Sequence, residues 1–112
     1  MNTLISRIRD FNGRRDWNQF HTPKNLAMGL CVESAELMEH FLWLTPEESR
    51  ELPGEKKKLV RSEIADVFIY LLNLSDSLGF DLVEAAYDKL EENERKYPVE
   101  KSKGNAKKYN EL

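Results

Sequence analysis

The chain has 112 residues, 40% of them hydrophobic and 33% charged, which is typical of one folded, soluble domain rather than a disordered segment. The net charge of −3 gives no indication of a general nucleic-acid-binding surface. With no run of about 20 apolar residues and no signal-peptide pattern, we expect a cytoplasmic protein without a membrane span. The single cysteine, Cys31, excludes a disulfide within one chain and is predicted to be a small core residue.

Apolar spacing and end signals predict four main helices. They cover residues 3–14, 23–43, 55–78 and the stretch from residue 81 to about 96. The segment RDWNQFH (15–21) breaks the pattern and is predicted to be a loop. Thr22 provides an N-cap for the second helix, with Pro23 at its first position. Gly79 provides the C-terminal stop of the third helix.

Two capping boxes are predicted, each formed by a capping side chain and a glutamate placed at the third position after it. One lies at Thr45 and Glu48 and begins a short helical turn. The other lies at Asp81 and Glu84 and begins the fourth helix. No segment combines strand patterning with turn residues, so the sequence predicts an all-α, four-helix bundle-like fold.

Two expectations follow for the organisation of the chain. Residues 1–98 are predicted to form the helical domain, and residues 99–112 a polar, basic tail that is loosely held and docked by Tyr109. The segment VFIYLLNL (67–74) is apolar nearly all round, which indicates burial on every side. A four-helix monomer can rarely surround one helix, so we expect this segment to pack at a subunit interface. The alternative is a central helix within a monomer.

Two pairs of carboxylates lie beside apolar positions on the second and third predicted helices. Glu33 and Glu36 bound the segment ESAE and point the same way because of their spacing, and Glu63 and Asp66 repeat it in EIAD. If the two helices pack about 8–10 Å apart, the four carboxylates converge. Their charges would repel one another and be costly to desolvate, and a divalent cation resolves both problems.

The donor set favours a hard cation. Oxygen-only ligation suits Mg²⁺, with Mn²⁺ as a substitute. Iron is disfavoured because di-iron bundles use Glu-x-x-His, whereas Glu36 is followed at that spacing by Glu39 and Glu63 by Asp66. The alternative is that these are ordinary solvated carboxylates paired with lysines.

At these residues the sequence resembles the MazG-like nucleoside triphosphate pyrophosphohydrolases. ESAE followed by EIAD is similar to the E-x-x-E…E-x-x-D signature of that family. Further segments are similar to its dCTP pyrophosphatase branch, namely RDWNQFH, the LW at 42–43, DVFIYLLNL, KLEENERKYP and KKYNEL. The resemblance covers about residues 3–112.

The resemblance implies an all-α, Mg²⁺-dependent enzyme that splits a nucleoside triphosphate into the monophosphate and pyrophosphate. It implies a homodimer, or a homotetramer built from dimers. From the net charge and the hydropathy pattern we expect neither nucleic acid nor membrane as partner. The implied metal ligands are Glu33, Glu36, Glu63 and Asp66. The positions implied around the base and sugar are Trp17, Phe20, His21, Trp43 and Tyr70. The implied phosphate-side residues are Lys89 and Asn93.

A triphosphate is strongly anionic, so it requires metal bridging before it can approach a carboxylate cluster. One carboxylate is expected to orient or deprotonate the attacking water, with Glu36 as the first candidate and Glu39 as the second. Lys96 is expected to help hold the outer phosphates, although the family usually has Arg there. Ile8 stands where the vertebrate branch has a His, which leaves the fine selectivity open.

The expected substrate is dCTP or a 5-modified dCTP, because bulky aromatic side chains stack on a base and shrink the pocket towards a pyrimidine. Two other functions stay open. One is a different hydrolase on the same fold, with broad specificity or acting on dUTP or phosphoribosyl-ATP. The other is a non-catalytic helical dimerisation or interaction module whose carboxylates are solvated.

Overall fold

The computed structural model describes residues 2–111, with side chains from residue 3. The helices are α1 (Asn2–Arg14), α2 (Pro23–Glu39), α3 (Pro46–Arg50), α4 (Gly54–Leu78), α5 (Leu82–Lys96) and α6 (Val99–Ser102), followed by a 3₁₀ turn over Tyr109–Glu111. These residues contain no strand, which confirms the all-α prediction. Within them, no helix has both the length and the apolar content that crossing a membrane requires.

Two compact units divide the chain between Phe80 and Asp81. The first contains α1 to α4, and the second contains α5, α6 and the 3₁₀ turn. The predicted boundary after residue 98 stays a prediction, and Leu112, the last residue of the predicted tail, lies outside the described residues.

The predicted end of the second helix was wrong. α2 ends at Glu39 rather than at residue 43. The backbone N–H groups of His40 and Phe41 donate to the carbonyls of Leu37 and Met38, at 3.3 and 2.9 Å. Hydrogen bonds to the third residue back tighten a last turn and leave the α pattern. The apolar spacing continues beyond this turn, which is why it predicted too long a helix.

The other helix ends follow their capping signals closely. Thr45 and Glu48 form the reciprocal capping box before α3, with hydrogen bonds of 2.9 and 3.1 Å. The Asp81 side chain accepts a hydrogen bond from the Glu84 N–H at 2.9 Å. The reciprocal bond, from the Asp81 N–H to the Glu84 side chain, is not found among the described residues, so this predicted capping box is a single cap. Gly79 has a φ of 81° and ends α4 in the left-handed conformation that glycine adopts at little steric cost.

The first unit is organised around α4. Within it, α2 packs against α4 over much of its length and α1 also contacts α4. Among the described residues the large buried apolar side chains are Leu26 of α2 and Val60 and Leu72 of α4. This small core places one side of α2 and of α1 against α4.

The single chain leaves much of its apolar surface exposed. Cys31, which was predicted to be a core residue, is exposed, because α2 is apolar on more sides than one neighbouring helix covers. Leu72 is buried, whereas Phe68 and Ile69 of the same apolar segment are 38% and 39% exposed. One chain therefore does not surround the segment 67–74.

The second unit gives the tail more structure than the sequence predicted. Residues 99–102 form α6, although a loosely held segment was expected. The rings of Tyr97 and Tyr109 meet edge to face with centroids 6.4 Å apart. The Lys96 ammonium lies 4.8 Å from the centroid of the Tyr109 ring, within cation–π range. The predicted docking role of Tyr109 is confirmed.

Candidate metal centre and nucleotide cleft

The contact between α2 and α4 brings three of the predicted ligands together. Glu33 and Glu36 of α2 and Glu63 of α4 each offer one carboxylate oxygen, and these oxygens all lie within 4.8 Å of one another. Glu33 and Glu63 are half-buried, whereas Glu36 is exposed. The spacing on α2 places Glu33 and Glu36 together on the side that faces α4, whereas the exposed Asp66, the fourth predicted ligand, is not among the residues whose oxygens converge.

The electrostatics of this carboxylate cluster show how closely the charges approach. The pKa of Glu33 is raised to about 7, mainly because the side chain is partly removed from water. The charge of Glu36 is the next largest cause, and hydrogen bonding with Glu36 adds to it. The nearby carboxyl groups of Asp66 and Glu63 act in the same direction. Asp66, the fourth predicted ligand, is thus close enough to act on Glu33.

The residues fit a divalent cation. Glu63 Oε2 is buried and has no hydrogen-bond partner among the described residues, so an acceptor-only oxygen lies within a group of carboxylates that repel one another. The donor set is oxygen alone, which suits a hard cation. Glu39, the second candidate for activating water, is exposed at the end of α2 and is not one of the three residues whose oxygens converge.

A cleft of about 450 Å³ lies between α1 and α4 and carries Asp66 on its wall. Its apolar lining comes from Leu4, Ile8, Phe11 and Ile69, and its aromatic lining from Trp17 and Tyr70. Trp17 meets Phe11 and His21 edge to face, at ring-centroid distances of 5.5 and 6.2 Å. The predicted residues Trp17, His21 and Tyr70 therefore share one cleft with a predicted metal ligand.

Two other predicted substrate-binding residues lie apart from this cleft. Phe20 is 59% exposed and Trp43 is 88% exposed, and neither lines the cleft within one chain. Ile8, where the vertebrate branch has a His, does line it.

Sequence reasoning missed Gly29, a residue that positions Tyr70. A Cβ on Gly29 would lie 2.4 Å from Tyr70 Cε1 and 2.8 Å from Cζ. The Tyr70 ring therefore packs directly on the α2 backbone at a point where only glycine leaves room. A glycine inside a predicted helix was the available signal, because such a residue destabilises a helix and usually has a packing reason.

The predicted phosphate-side residues Lys89, Asn93 and Lys96 belong to α5 in the second unit. Lys89 and Lys96 both pair with Glu92, with N–O distances of 3.2 and 2.9 Å. The hydrogen bonds from Lys96 and then Lys89 lower the pKa of Glu92. The two lysines thus form one charged group along α5, and Asn93 is half-buried beside it.

Comparison with known proteins gives consistent findings. The model of the MazG-like family matches residues 29–112. The chain is 38% identical over 105 residues to dCTP pyrophosphatase 1 of Mus musculus and 39% identical over 106 residues to that of Homo sapiens. Each alignment covers 92% of this chain and 62% of the relative, so the chain spans less than two thirds of the length of these proteins.

A solved structure also resembles this one. The crystal structure of a pyrophosphatase from Archaeoglobus fulgidus superposes with a TM-score of 0.83 at 45% sequence identity. The alignment covers 88% of this chain and 92% of that one. At this identity the similarity includes the sequence as well as the arrangement of helices.

Proposed function

The chain belongs to the MazG-like family, and from this premise we propose that it is a Mg²⁺-dependent nucleoside triphosphate pyrophosphohydrolase acting on dCTP or a modified dCTP. The observation that carries the proposal is the position of Asp66, whose charge acts on Glu33 of the carboxylate cluster and which also lines the aromatic cleft. A nucleoside triphosphate needs a cation-binding group for its phosphates beside an apolar site for its base.

In this proposal Mg²⁺ is held by Glu33, Glu36, Glu63 and Asp66, and Mn²⁺ can replace it. When bound, the cation neutralises phosphate oxygens and stabilises the charge that develops during hydrolysis. Glu36 is the exposed member of the cluster, so water reaches it, and it orients or deprotonates the attacking water. Glu39 is the second candidate for that role. The bond between the α- and β-phosphoryl groups is hydrolysed, which yields the monophosphate and pyrophosphate.

The cleft supplies the base and sugar site. Trp17 and Tyr70 offer ring faces, and stacking provides affinity for any base. The apolar lining from Ile8 and Phe11 gives the base a dry surface, and the bulk of the aromatic rings favours a pyrimidine over a purine. Phe20, His21 and Trp43 are proposed to complete the base and sugar contacts. Lys89, Asn93 and Lys96 are proposed to hold the outer phosphates.

The proposed enzyme acts as a homodimer or a homotetramer built from dimers. Met28 and Val32 lie one turn apart on α2 and are 58% and 57% exposed, and Ile64 and Phe68 repeat that spacing on α4. A soluble monomer rarely leaves so many large apolar side chains in water. The relatives named dCTP pyrophosphatase 1 support the reaction and the choice of nucleotide.

A pyrophosphate-release assay with Mg²⁺ across the canonical and 5-modified nucleoside triphosphates tests the proposal. We expect dCTP or a 5-modified dCTP to have the highest kcat/KM. Leaving a buried polar group without a partner costs roughly 1–3 kcal/mol, so dCTP should exceed CTP by about tenfold to a hundredfold if the cleft leaves no partner for the 2′-hydroxyl. If the kcat/KM values for dCTP, dATP and dGTP differ by only about threefold or less, the protein is a broad-specificity hydrolase instead.

Release of no pyrophosphate from any nucleotide would favour the interaction module. In that case the melting temperature is measured with and without Mg²⁺ and nucleotide together. An unchanged melting temperature would show that the carboxylate cluster binds neither.

A further inference from the structure

A hydrogen-bonded pair of amides, one buried and one half-buried, lines the cleft, whose other polar or charged lining residues are Arg7, His21 and Asp66. Asn12 of α1 is 6% exposed, and its Nδ2 donates to Asn73 Oδ1 of α4 at 2.9 Å. Both residues line the cleft. We propose that this amide pair hydrogen-bonds with the base of the bound nucleotide and determines base selectivity. The inference rests on the proposed function and adds the residues that read the base.

The free hydrogen-bonding groups of the pair are suited to reading a base edge. A side-chain amide carries one oxygen and one amino group. The mutual bond leaves Asn12 Oδ1 and Asn73 Nδ2 without a hydrogen bond among the described residues. Neither atom is among those that are both buried and unpaired, so both keep solvent contact. Reversing the two amides also leaves one acceptor and one donor free. In either orientation the pair offers complementary groups to neighbouring donor and acceptor atoms on a pyrimidine.

The position of the pair along α4 matches the dimensions of a nucleotide. Asn73 follows Asp66 by seven residues, which places the two on the same side of the helix about 10 Å apart along its axis. Tyr70 lies between them on that side and lines the cleft. Phosphates bound at the carboxylate cluster near Asp66 place the sugar across Tyr70 and the base at Asn73.

The surroundings make this contact selective. Ile8 and Phe11 line the cleft beside Asn12 on α1, and Ile69 lines it on α4. In an apolar setting, a base that cannot pair with the amides leaves them unsatisfied once water is displaced, and the affinity for that base falls. A site built to bind an amino group rejects the analogue that lacks it more strongly than a pocket that fits shape alone.

The test compares dCTP with the triphosphate of 2-pyrimidinone deoxyriboside, which lacks the 4-amino group. The wild-type protein should prefer dCTP in kcat/KM by about tenfold or more. In Asn73→Ala this preference for dCTP should fall to about twofold or less. The double variant Asn12→Ala/Asn73→Ala removes both amides and should lose the preference to the same extent. The matched control is Asn110→Ala, an exposed asparagine outside the cleft lining, which should keep the wild-type preference.

Three results overturn the inference. A wild-type protein that does not distinguish the two triphosphates excludes base reading without any mutation. An Asn73→Ala variant that hydrolyses both more slowly by the same factor has lost only structural support. If Asn73→Ala does not fold, Asn73→Ser must reduce the preference, and an unchanged preference overturns the proposal.

Failure of the proposed function is distinguishable from failure of the inference. If the wild-type protein hydrolyses no triphosphate, calorimetric binding of dCMP and of 2-pyrimidinone deoxyriboside monophosphate still tests the amide pair. Tighter binding of dCMP by about tenfold, lost in Asn73→Ala, would support base reading without hydrolysis. Equal binding of the two would overturn it.

Discussion

Replacing Gly29 by alanine tests how the Tyr70 ring is positioned. The added Cβ would lie 2.4 Å from Tyr70 Cε1 and 2.8 Å from Cζ, whereas carbon atoms in contact are about 3.5–4.0 Å apart. Either the ring swings into the cleft or α2 and α4 separate locally. The substitution therefore links the packing of two helices to the shape of the proposed base site.

Two opposing effects determine the magnitude. Alanine is favoured over glycine inside a helix by roughly 0.5–1 kcal/mol. Overpacking a well-fitted contact costs typically about 1–3 kcal/mol. We expect Gly29→Ala to lower the free energy of unfolding by about 1 kcal/mol in the wild-type background. In a Tyr70→Ala background the overlap is absent, and the same change should raise it by about 0.5–1 kcal/mol.

Urea unfolding followed by circular dichroism, at one fixed protein concentration, measures this double-mutant cycle. The expected coupling between the two positions is about 1.5–2 kcal/mol. Gly13→Ala is the matched control, because nothing lies within 4 Å of a Cβ added to that glycine of α1. Its effect on the free energy of unfolding should be the same with Tyr70 and in the Tyr70→Ala background. If Gly29→Ala stabilises both backgrounds equally, the ring moves freely and the argument is refuted. Gly29→Ala should also raise the KM for dCTP, since Tyr70 lines the cleft.

Four further predictions concern the site, the ion pair between Arg9 and Asp76, and the assembly. Glu63→Gln should keep the fold and lose most pyrophosphate release at saturating Mg²⁺, because the carboxylates act as a unit. The control Glu47→Gln, on the exposed α3, should behave as wild type. Near-normal turnover in Glu63→Gln would contradict the metal site. Hydrogen bonds from Arg9, at 2.9 and 2.5 Å, lower the pKa of Asp76 in the folded protein. These bonds therefore stabilise the folded state fully above the unfolded pKa of about 3.9, and the stabilisation is lost as the pH falls through the lower folded pKa. Asp76→Asn should thus be less stable than wild type at neutral pH, with a difference that shrinks in acid unfolding titrations; a pH-independent difference would exclude the ion pair as its cause. Light scattering at micromolar concentration should give a mass well above the 13.1 kDa of one chain, and a stable monomer would contradict the proposed assembly. Trp43→Ala should raise KM more than it lowers kcat, and an unchanged KM would remove Trp43 from the proposed substrate site.

Local physics made much of the chain predictable. Thr22, Thr45 and Gly79 act through their own backbone neighbours, so the helix ends they mark are visible in the sequence. The ESAE and EIAD spacings put each pair of carboxylates on one side of its helix, and the packing of α2 on α4 was enough to bring Glu33, Glu36 and Glu63 together. The end of α2 was mispredicted because apolar spacing does not report where backbone hydrogen bonding changes.

The sequence by itself therefore determined the main helices, most of their caps and the carboxylate pairs, since each depends on residues within a few positions of one another. Tertiary structure decided the rest. Only the contact between α1 and α4 pairs Asn12 with Asn73, and only the contact between α2 and α4 requires a glycine beneath Tyr70. These pairs are separated by 61 and 41 residues along the chain. Neither helical periodicity nor capping carries information over such distances, because both arise from neighbours along one helix, whereas these contacts depend on how helices pack.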